Sequence, residues 1–381
     1  MRILIILLIS NLALAANNPQ EFIAKQDNKN TWFAYSVKAQ DNTHSMCCWE
    51  HNNSNNSVCD LNREINSFGS SDDSPITKNI NIYVNLKNGK VDNVIPLGDA
   101  CQVKANSINV NWLDTVTQQD SIDWLKQISI QDKKDDSTHA LYAMALHKDK
   151  RASVALFDLA KNNNNNSTNA VFWLGERRAD GVEYLQKLYK SLPKGDAKRH
   201  INFALSITKS TKGINLLKQI AHKDKDAEQR GDALFWLGQS KVDDIVEILL
   251  ASVINDPSQS VKEKAIFSLS QVKTEAAAEA LLGIAKNNKS VELRDKALFW
   301  LAQVSPKKAK QIALEILKNN NSEEQVNNAV FTISQLSENN NDEGLFQLIT
   351  GNYSKSVKKQ ALFWLSQSDN SATIDRLQSL L

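Results

Sequence analysis

The sequence predicts a mainly α-helical fold: a right-handed α-α superhelix, a solenoid of about eight two-helix repeats, preceded by a small disulfide-linked β-rich domain. Three observations predict it. The string Ala-Leu-Phe-Trp-Leu, with variants, returns every 32 residues through the second half of the chain. Strict apolar–polar alternation from Asn79 runs into an Asn-Gly pair and is followed by a second β-like run. All four cysteines, Cys47, Cys48, Cys59 and Cys101, lie in the first third.

The amino terminus sets the expected compartment. Met1-Arg2 is a short basic start, Ile3 to Ile9 is an unbroken apolar run, and Ala13-Leu14-Ala15 supplies the small residues that a signal peptidase reads. This pattern predicts a secretory signal peptide over residues 1–15 and an exported protein, periplasmic or secreted. The apolar run is too short to span a bilayer, and no later stretch approaches ~20 apolar residues, so no membrane insertion is expected. Residue 16 is Ala and not Cys, which argues against a lipid anchor. Residues 16–30 are polar and read as a flexible lead-in. Lys and Arg total 45 against 43 Asp and Glu, a net charge of +2 that becomes +1 without Arg2. The two signs are interspersed, and no basic run carries aromatic residues. That excludes a nucleic-acid footprint.

Residues 31–115 read as the β-rich domain. Trp32 to Val37 is aromatic and β-branched, as strands prefer. Ile80, Ile82, Val84 and Leu86 share one face of a strand, Asn88-Gly89 forms a hairpin turn, and Val91 to Leu97 returns as its partner. Residues 107–112 add a further short strand. An even cysteine count in an oxidising compartment predicts two disulfides. Cys47 and Cys48 are adjacent, with Cα atoms ~3.8 Å apart, so a bridge between them is strained. Each is expected to pair with Cys59 or Cys101, in either combination. The spacing matches no zinc pattern and contains no CxxC.

Residues 119–381 read as the solenoid. The anchor alanines Ala233, Ala265, Ala297, Ala329 and Ala361 step by 32, and Ala140, Ala170 and Ile201 head earlier, less regular copies. Each copy predicts two helices. Around Ala297 the first spans 291–304, Ser305-Pro306 breaks it, and the second runs to Lys318, since Pro suits a first helical turn. First helices are apolar over nearly a whole turn and are expected to be sandwiched between neighbours. Neither helix of a pair buries its apolar face alone; stacking the pairs does.

Ser260-Val261-Lys262-Glu263-Lys264-Ala265-Ile266-Phe267-Ser268-Leu269, an apolar–basic pair followed by Ala and Leu, resembles HEAT repeats, above all the short phycobilin-lyase type and exported bacterial HEAT-repeat proteins of unassigned role. The resemblance covers residues 137–381. It implies the solenoid fold and is nearly silent on activity. Some proteins of this class are lyases or metal-dependent hydroxylases, the latter with His-Glu pairs as iron ligands. This chain has no His-Glu dipeptide and no HExxH.

Three ladders arise when equivalent positions align. Trp173, Trp236, Trp300 and Trp364 occupy alternate repeats, with Ala204, Ser268 and Thr332 between; they either pack repeat on repeat or anchor a partner. Gln239, Gln271, Gln303, Gln335 and Gln367 each stand six residues after an anchor; they either bond helix-end carbonyls or line a groove for an extended peptide. Lys198, Arg230, Lys262, Arg294 and Lys358 precede the anchors and either pair with acidic neighbours or meet an acidic partner.

His139, His147, His200 and His222 share no repeat position, and no nucleophile–base pair, phosphate loop or metal cluster stands out. No catalytic, cofactor-binding or metal-ligating residue is assigned. The sequence therefore predicts a non-catalytic protein-interaction scaffold. Two alternatives are a β domain that senses or inhibits while held by the solenoid, and a lyase- or hydroxylase-like enzyme. The partner is expected to be another protein. The end Leu377–Leu381, which has no polar cap, is expected to meet a partner or a second copy.

Overall fold

Alternation of branched apolar residues makes the sheet, and its turn is set by two residues with positive φ, Asn88 (51°) and Gly89 (69°). The computed structural model describes residues 18–26, 29–48, 58–61, 68–69, 74–105, 108–130, 134–162, 166–193, 196–319, 322–336, 342–368 and 370–379. The expected signal peptide, the loop at 52–57 and the last two leucines lie outside the described residues. Strands β1 (Thr31–Lys38), β2 (Cys47–Cys48), β3 (Cys59–Asp60), β4 (Phe68–Gly69), β5 (Asn79–Lys87), β6 (Lys90–Gly98), β7 (Val103–Lys104) and β8 (Val110–Trp112) follow in order. The main sheet is ordered β6-β5-β1-β8, with β1 antiparallel to β5 and parallel to β8. Pro96, which has no N–H to give, sits on the edge strand β6 opposite Ile82.

One face of the sheet, with Ala34, Tyr83, Ile95 and Leu97, packs on Cys48, Cys59 and Leu61. The disulfides are Cys47–Cys101 and Cys48–Cys59, with Cα separations of 5.4 and 5.1 Å. They sit where β2 meets β4 and β3 meets β7.

In the expected lead-in, residues 19–24 form a helix, α1 (Pro19–Ala24), which corrects the flexible reading of that part. Asn18 caps it by accepting from Glu21 N, and Phe22 lies 4.9 Å from Phe33 between ring centres. The remaining helices are α2 (Gln118–Ile130), α3 (Lys134–Ala145), α4 (Arg151–Lys161), α5 (Ser167–Glu176), α6 (Ala179–Ser191), α7 (Asp196–Ile207), α8 (Thr211–Lys223), α9 (Ala227–Gln239), α10 (Ile245–Asn255), α11 (Gln259–Gln271), α12 (Glu275–Asn287), α13 (Val291–Val304), α14 (Pro306–Lys318), α15 (Glu323–Gln335), α16 (Glu343–Thr350), α17 (Lys355–Ser366) and α18 (Ser371–Gln378). From α3 onward they form eight consecutive pairs among the described residues, so the protein is mainly helical with a β region before the repeats. No described helix is long and apolar enough to cross a membrane.

The chain divides into two compact units, one through Gly213 and one from Ile214. In the first, the other face of the sheet is covered by helix α2: Trp124 lies 6.0 Å from Phe33 and 6.2 Å from Tyr35, ring centre to ring centre. A buried polar chain completes the joint. Tyr35 Oη meets Ser121 Oγ at 2.9 Å, and Ser121 Oγ meets His147 Nε2 at 2.8 Å. His147 Nδ1 donates to Ala143 O at 2.8 Å, which leaves Nε2 to accept. Burial pushes His147 down to about 4, so it is neutral near pH 7. Beside it, the fully buried Arg177 donates to Ala145 O (2.9 Å), His147 O (2.6 Å), Asp149 O (3.2 Å) and Ser153 Oγ (2.5 Å). Gln40 Nε2 then donates to Arg177 O at 3.0 Å, tying the β1 exit to α5. The β region and the first helices thus share one core.

Candidate protein-docking face

The unit from Ile214 shows the repeat at its most regular. The turns that lead into α9, α11 and α13 are built the same way. The side chains of Asp224, Asp256 and Asn288 accept from the backbone N–H two residues on, at 2.8, 2.8 and 2.9 Å. Asp226, Ser290, Ser322 and Ser354 cap the first helices that follow. Two members of the basic ladder, Arg230 and Arg294, belong to this framework. Arg230 donates to Asp224 O (2.8 Å) and grips both oxygens of the nearly buried Asp256 (2.7 and 2.8 Å), and Arg294 donates to Asn288 O (2.6 Å). These side chains lock repeat to repeat.

The two helices of each pair then present different chemistry. Second helices are laced by their own ion pairs: Lys218 to Asp244 (2.6 Å), Lys308 to Glu275 and Glu279, Lys286 to Glu315 (3.4 Å) and Arg376 to Glu343 (2.6 Å). First helices are charged only along their amino-terminal halves, where rungs join neighbours: Asp232 to Lys264, Glu263 to Lys296 (3.6 Å), and Asp295 to Asn328 (2.8 Å). Their carboxy-terminal halves carry no charge at all. Residues 234–239, 266–271, 298–303, 330–335 and 362–367 contain none, in a chain that is 23% charged.

This uncharged lane holds the residues singled out by sequence. Trp236, Trp300 and Trp364 are half-buried, and all five glutamines of the ladder are exposed. Trp300 lies 4.8 Å from Phe267 of the preceding repeat and 5.0 Å from its own neighbour Phe299. Trp364 is likewise 5.1 Å from Phe331 and 5.3 Å from Phe363. Trp173, in the other unit, stacks on Tyr142 at 4.5 Å. First helices are therefore sandwiched at their Ala and Leu positions but keep one open edge: Phe299 is 41% and Phe363 53% exposed.

Among the described residues, no bond from a ladder glutamine to a helix-end carbonyl is seen. Serines take these carbonyls: Ser270, Ser334 and Ser366 each donate to the Phe carbonyl three residues back, at 2.7 Å. Gln271 and Gln367 donate instead to the adjacent serine hydroxyls (3.0 and 3.3 Å). Their amides stay on the surface, each able to donate and accept. At the carboxy end, Leu377 packs against the last core cluster.

The phenylalanines at 235, 267, 299, 331 and 363 and the charged rungs were not among the sequence candidates for binding. Their signal was present in the same 32-residue register, two residues after and one or two before each anchor. Among the described residues no group of His, Cys, Asp and Glu is arranged to hold a metal ion.

Comparison with known proteins agrees on the repeat. The family model for HEAT repeats matches residues 214–294. No curated protein matches the chain. Among solved structures, human deoxyhypusine hydroxylase in complex with glycerol is 14% identical, with 65% of this chain and 96% of that one covered at a TM-score of 0.28. The CpcE–CpcF complex of phycocyanin lyase from Nostoc is 15% identical, with 61% and 93% covered at 0.30. Lipovitellin is 12% identical, with 78% and 40% covered at 0.44.

Proposed function

We propose that this chain is a non-catalytic scaffold that holds another protein outside the cytoplasm, in the periplasm or at the cell exterior, and that the partner lies on the first-helix lane of residues 214–379. The contrast between the two helix surfaces carries the reading. Second-helix surfaces carry ion pairs of their own, and such exposed pairs give a partner little to gain. The lane offers aromatic edges for apolar contact and one amide per repeat that bonds as a peptide unit does. Neighbouring helices pack ~8–10 Å apart, and an extended chain rises ~3.3 Å per residue. A bound segment would thus meet one rung about every three residues. The two disulfides favour an oxidising compartment.

The test is cross-linking capture from the envelope of cells producing the protein. It compares the natural chain with one in which Gln239, Gln271, Gln303, Gln335 and Gln367 are all changed to Glu. A protein held by the first and lost by the second supports the lane. A protein held equally by both moves docking elsewhere. Copurification of a metal or small molecule with no protein reopens the enzymatic reading.

A further inference from the structure

We propose that the gap between the first helices α13 and α15 is a side-chain slot: Phe299 and Phe331 receive one aromatic residue of the bound polypeptide, and Gln303 and Gln335 hold its flanking main chain. The proposal deepens the docking-face reading and rests on it.

The rings along the lane show where the slot is. Between α9 and α11, Phe235 and Phe267 stack directly, 5.9 Å apart and 3° from parallel. Between α11 and α13 the indole of Trp300 stands against Phe267, and between α15 and α17 that of Trp364 stands against Phe331. Three junctions are thus closed by ring contact. The fourth, α13 to α15, is not: among the described residues no ring contact joins Phe299 to Phe331, and α15 carries Thr332 where its neighbours carry Trp.

By repeat register, Phe299 and Phe331 are the counterparts of Phe235 and Phe267, so the difference needs a cause, and two residues supply it. At the closed junction, Gly238 of α9 faces Ser268 of α11, and a Cβ placed on Gly238 would lie only 3.3 Å from Ser268 Cβ. At the open junction the equivalent residues are Ala302 and Thr332, one carbon larger on each side, and both are buried (6% and 4% exposed). Thr332 cannot swing its bulk away, because its hydroxyl is committed to Asn328 O at 2.8 Å. Close-packed interiors respond to a single added methyl group. The helices are held apart midway while the Asp295–Asn328 bond (2.8 Å) still ties their amino-terminal halves.

The chain itself shows what fits between two such phenylalanines: it seats its own Trp300 between Phe267 and Phe299, and Trp364 between Phe331 and Phe363. Nothing of that kind comes from Thr332. An aromatic side chain from outside completes the series, with edge or offset contacts to both rings. The walls are uncharged from 298 to 303 and from 330 to 335, so the entering group is neutral. Gln303 and Gln335, both exposed, stand one turn beyond the two rings, within the run of main chain that carries such a residue.

The experiment is saturation-transfer NMR on the full chain with N-acetyl-tryptophanamide, a neutral aromatic residue capped as within a polypeptide, and with N-acetyl-alaninamide as comparison. The expected result is saturable binding of the first only. It should weaken at least tenfold in Phe299→Ala. It should weaken equally in the double variant Ala302→Gly with Thr332→Ser, which rebuilds the closed junction already present at Gly238 and Ser268 and so preserves the fold. Lys310→Ala, exposed on the second helix α14 and away from the lane, should leave it unchanged. Absence of saturable binding to the natural chain, or binding indifferent to both slot variants, overturns the proposal. If an envelope partner is lost with the glutamines but survives both slot variants, the slot fails and the docking face stands. If capture ignores the glutamines, the docking face fails and takes with it the main-chain role given to Gln303 and Gln335, even where the probe still binds between the rings.

Discussion

The two units are held together in opposite ways. The unit through Gly213 depends on contacts that occur once: two disulfides, the Tyr35–Ser121–His147 chain and the enclosed Arg177. The unit from Ile214 depends on contacts that recur from repeat to repeat: the Asx turn, the helix cap, the basic lock and, at three of the four junctions between first helices, the ring contact. Single losses should therefore be severe in the first and shared out in the second, as expected where stability is a sum over neighbours. The strongest way to break this comparison is Arg177→Met. It leaves the carbonyls of Ala145, His147 and Asp149 without their buried donor. At about 1–3 kcal/mol for each buried acceptor left unpaired, the expected cost is about 3–5 kcal/mol, read as faster hydrogen exchange in α2 to α5, with α11 to α15 unchanged.

The disulfides come next. Cys47–Cys101 spans 54 residues and Cys48–Cys59 spans 11. On the loop-entropy view, removing the first as a double serine variant should cost about 4 kcal/mol and the second about 3. Urea denaturation of each variant checks the order. Acid should follow. His147 falls from an ordinary value near 6.5 to about 4 because burial disfavours its charged form. The unfolded chain binds that proton more readily, so stability is whole above about pH 6.5 and is lost as pH falls to about 4. The full loss is about 3 kcal/mol. His147→Gln should flatten this pH dependence, and α2 exchange measured at pH 7 and 4.5 reads it.

How far the sequence announced these features follows the range of each interaction. The hairpin was legible because Asn88-Gly89 and the flanking alternation are local. The bounds 291–304 and 306–318 of α13 and α14 were legible because Pro306 and the repeat fixed both ends. The cysteine partners were not, because pairing depends on β3 lying parallel to β7, a contact set by the fold and not by spacing. The joint was invisible for the same reason: Tyr35 and Ser121 stand 86 residues apart, and His147 looked like one scattered histidine of several. The Trp and Gln ladders were visible as registers, but periodicity alone could not say that the glutamines face solvent while serines take the helix-end carbonyls. The open junction is an intermediate case. Ala302 and Thr332 stand plainly in the repeat, yet their effect appears only once the helices they separate are placed side by side.

Within the regular unit, the basic ladder sharpens the comparison at smaller scale. Arg230 holds a nearly buried carboxylate and a carbonyl, whereas Arg294 holds a carbonyl. Changing each to Met should cost about 2 kcal/mol at 230 and about 1 kcal/mol at 294. Urea midpoints of the two variants test the ranking, and equal losses would mean that the shared carbonyl bond, and not the carboxylate, sets the lock.

The smallest effect on stability belongs to the residues with the largest proposed role. All five ladder glutamines are exposed, and the structure shows bonds from Gln271 and Gln367 only to adjacent serines. Surface substitutions clear of caps and buried groups usually stay within ~0.5 kcal/mol. Changing any one to Ala should therefore leave the urea midpoint in place while weakening partner capture. A residue that holds the fold must lower both, so a glutamine whose loss destabilises the chain would belong with the serines as part of the helix end. If stability is untouched and binding falls with each rung removed, the ladder is a surface kept for something outside the chain.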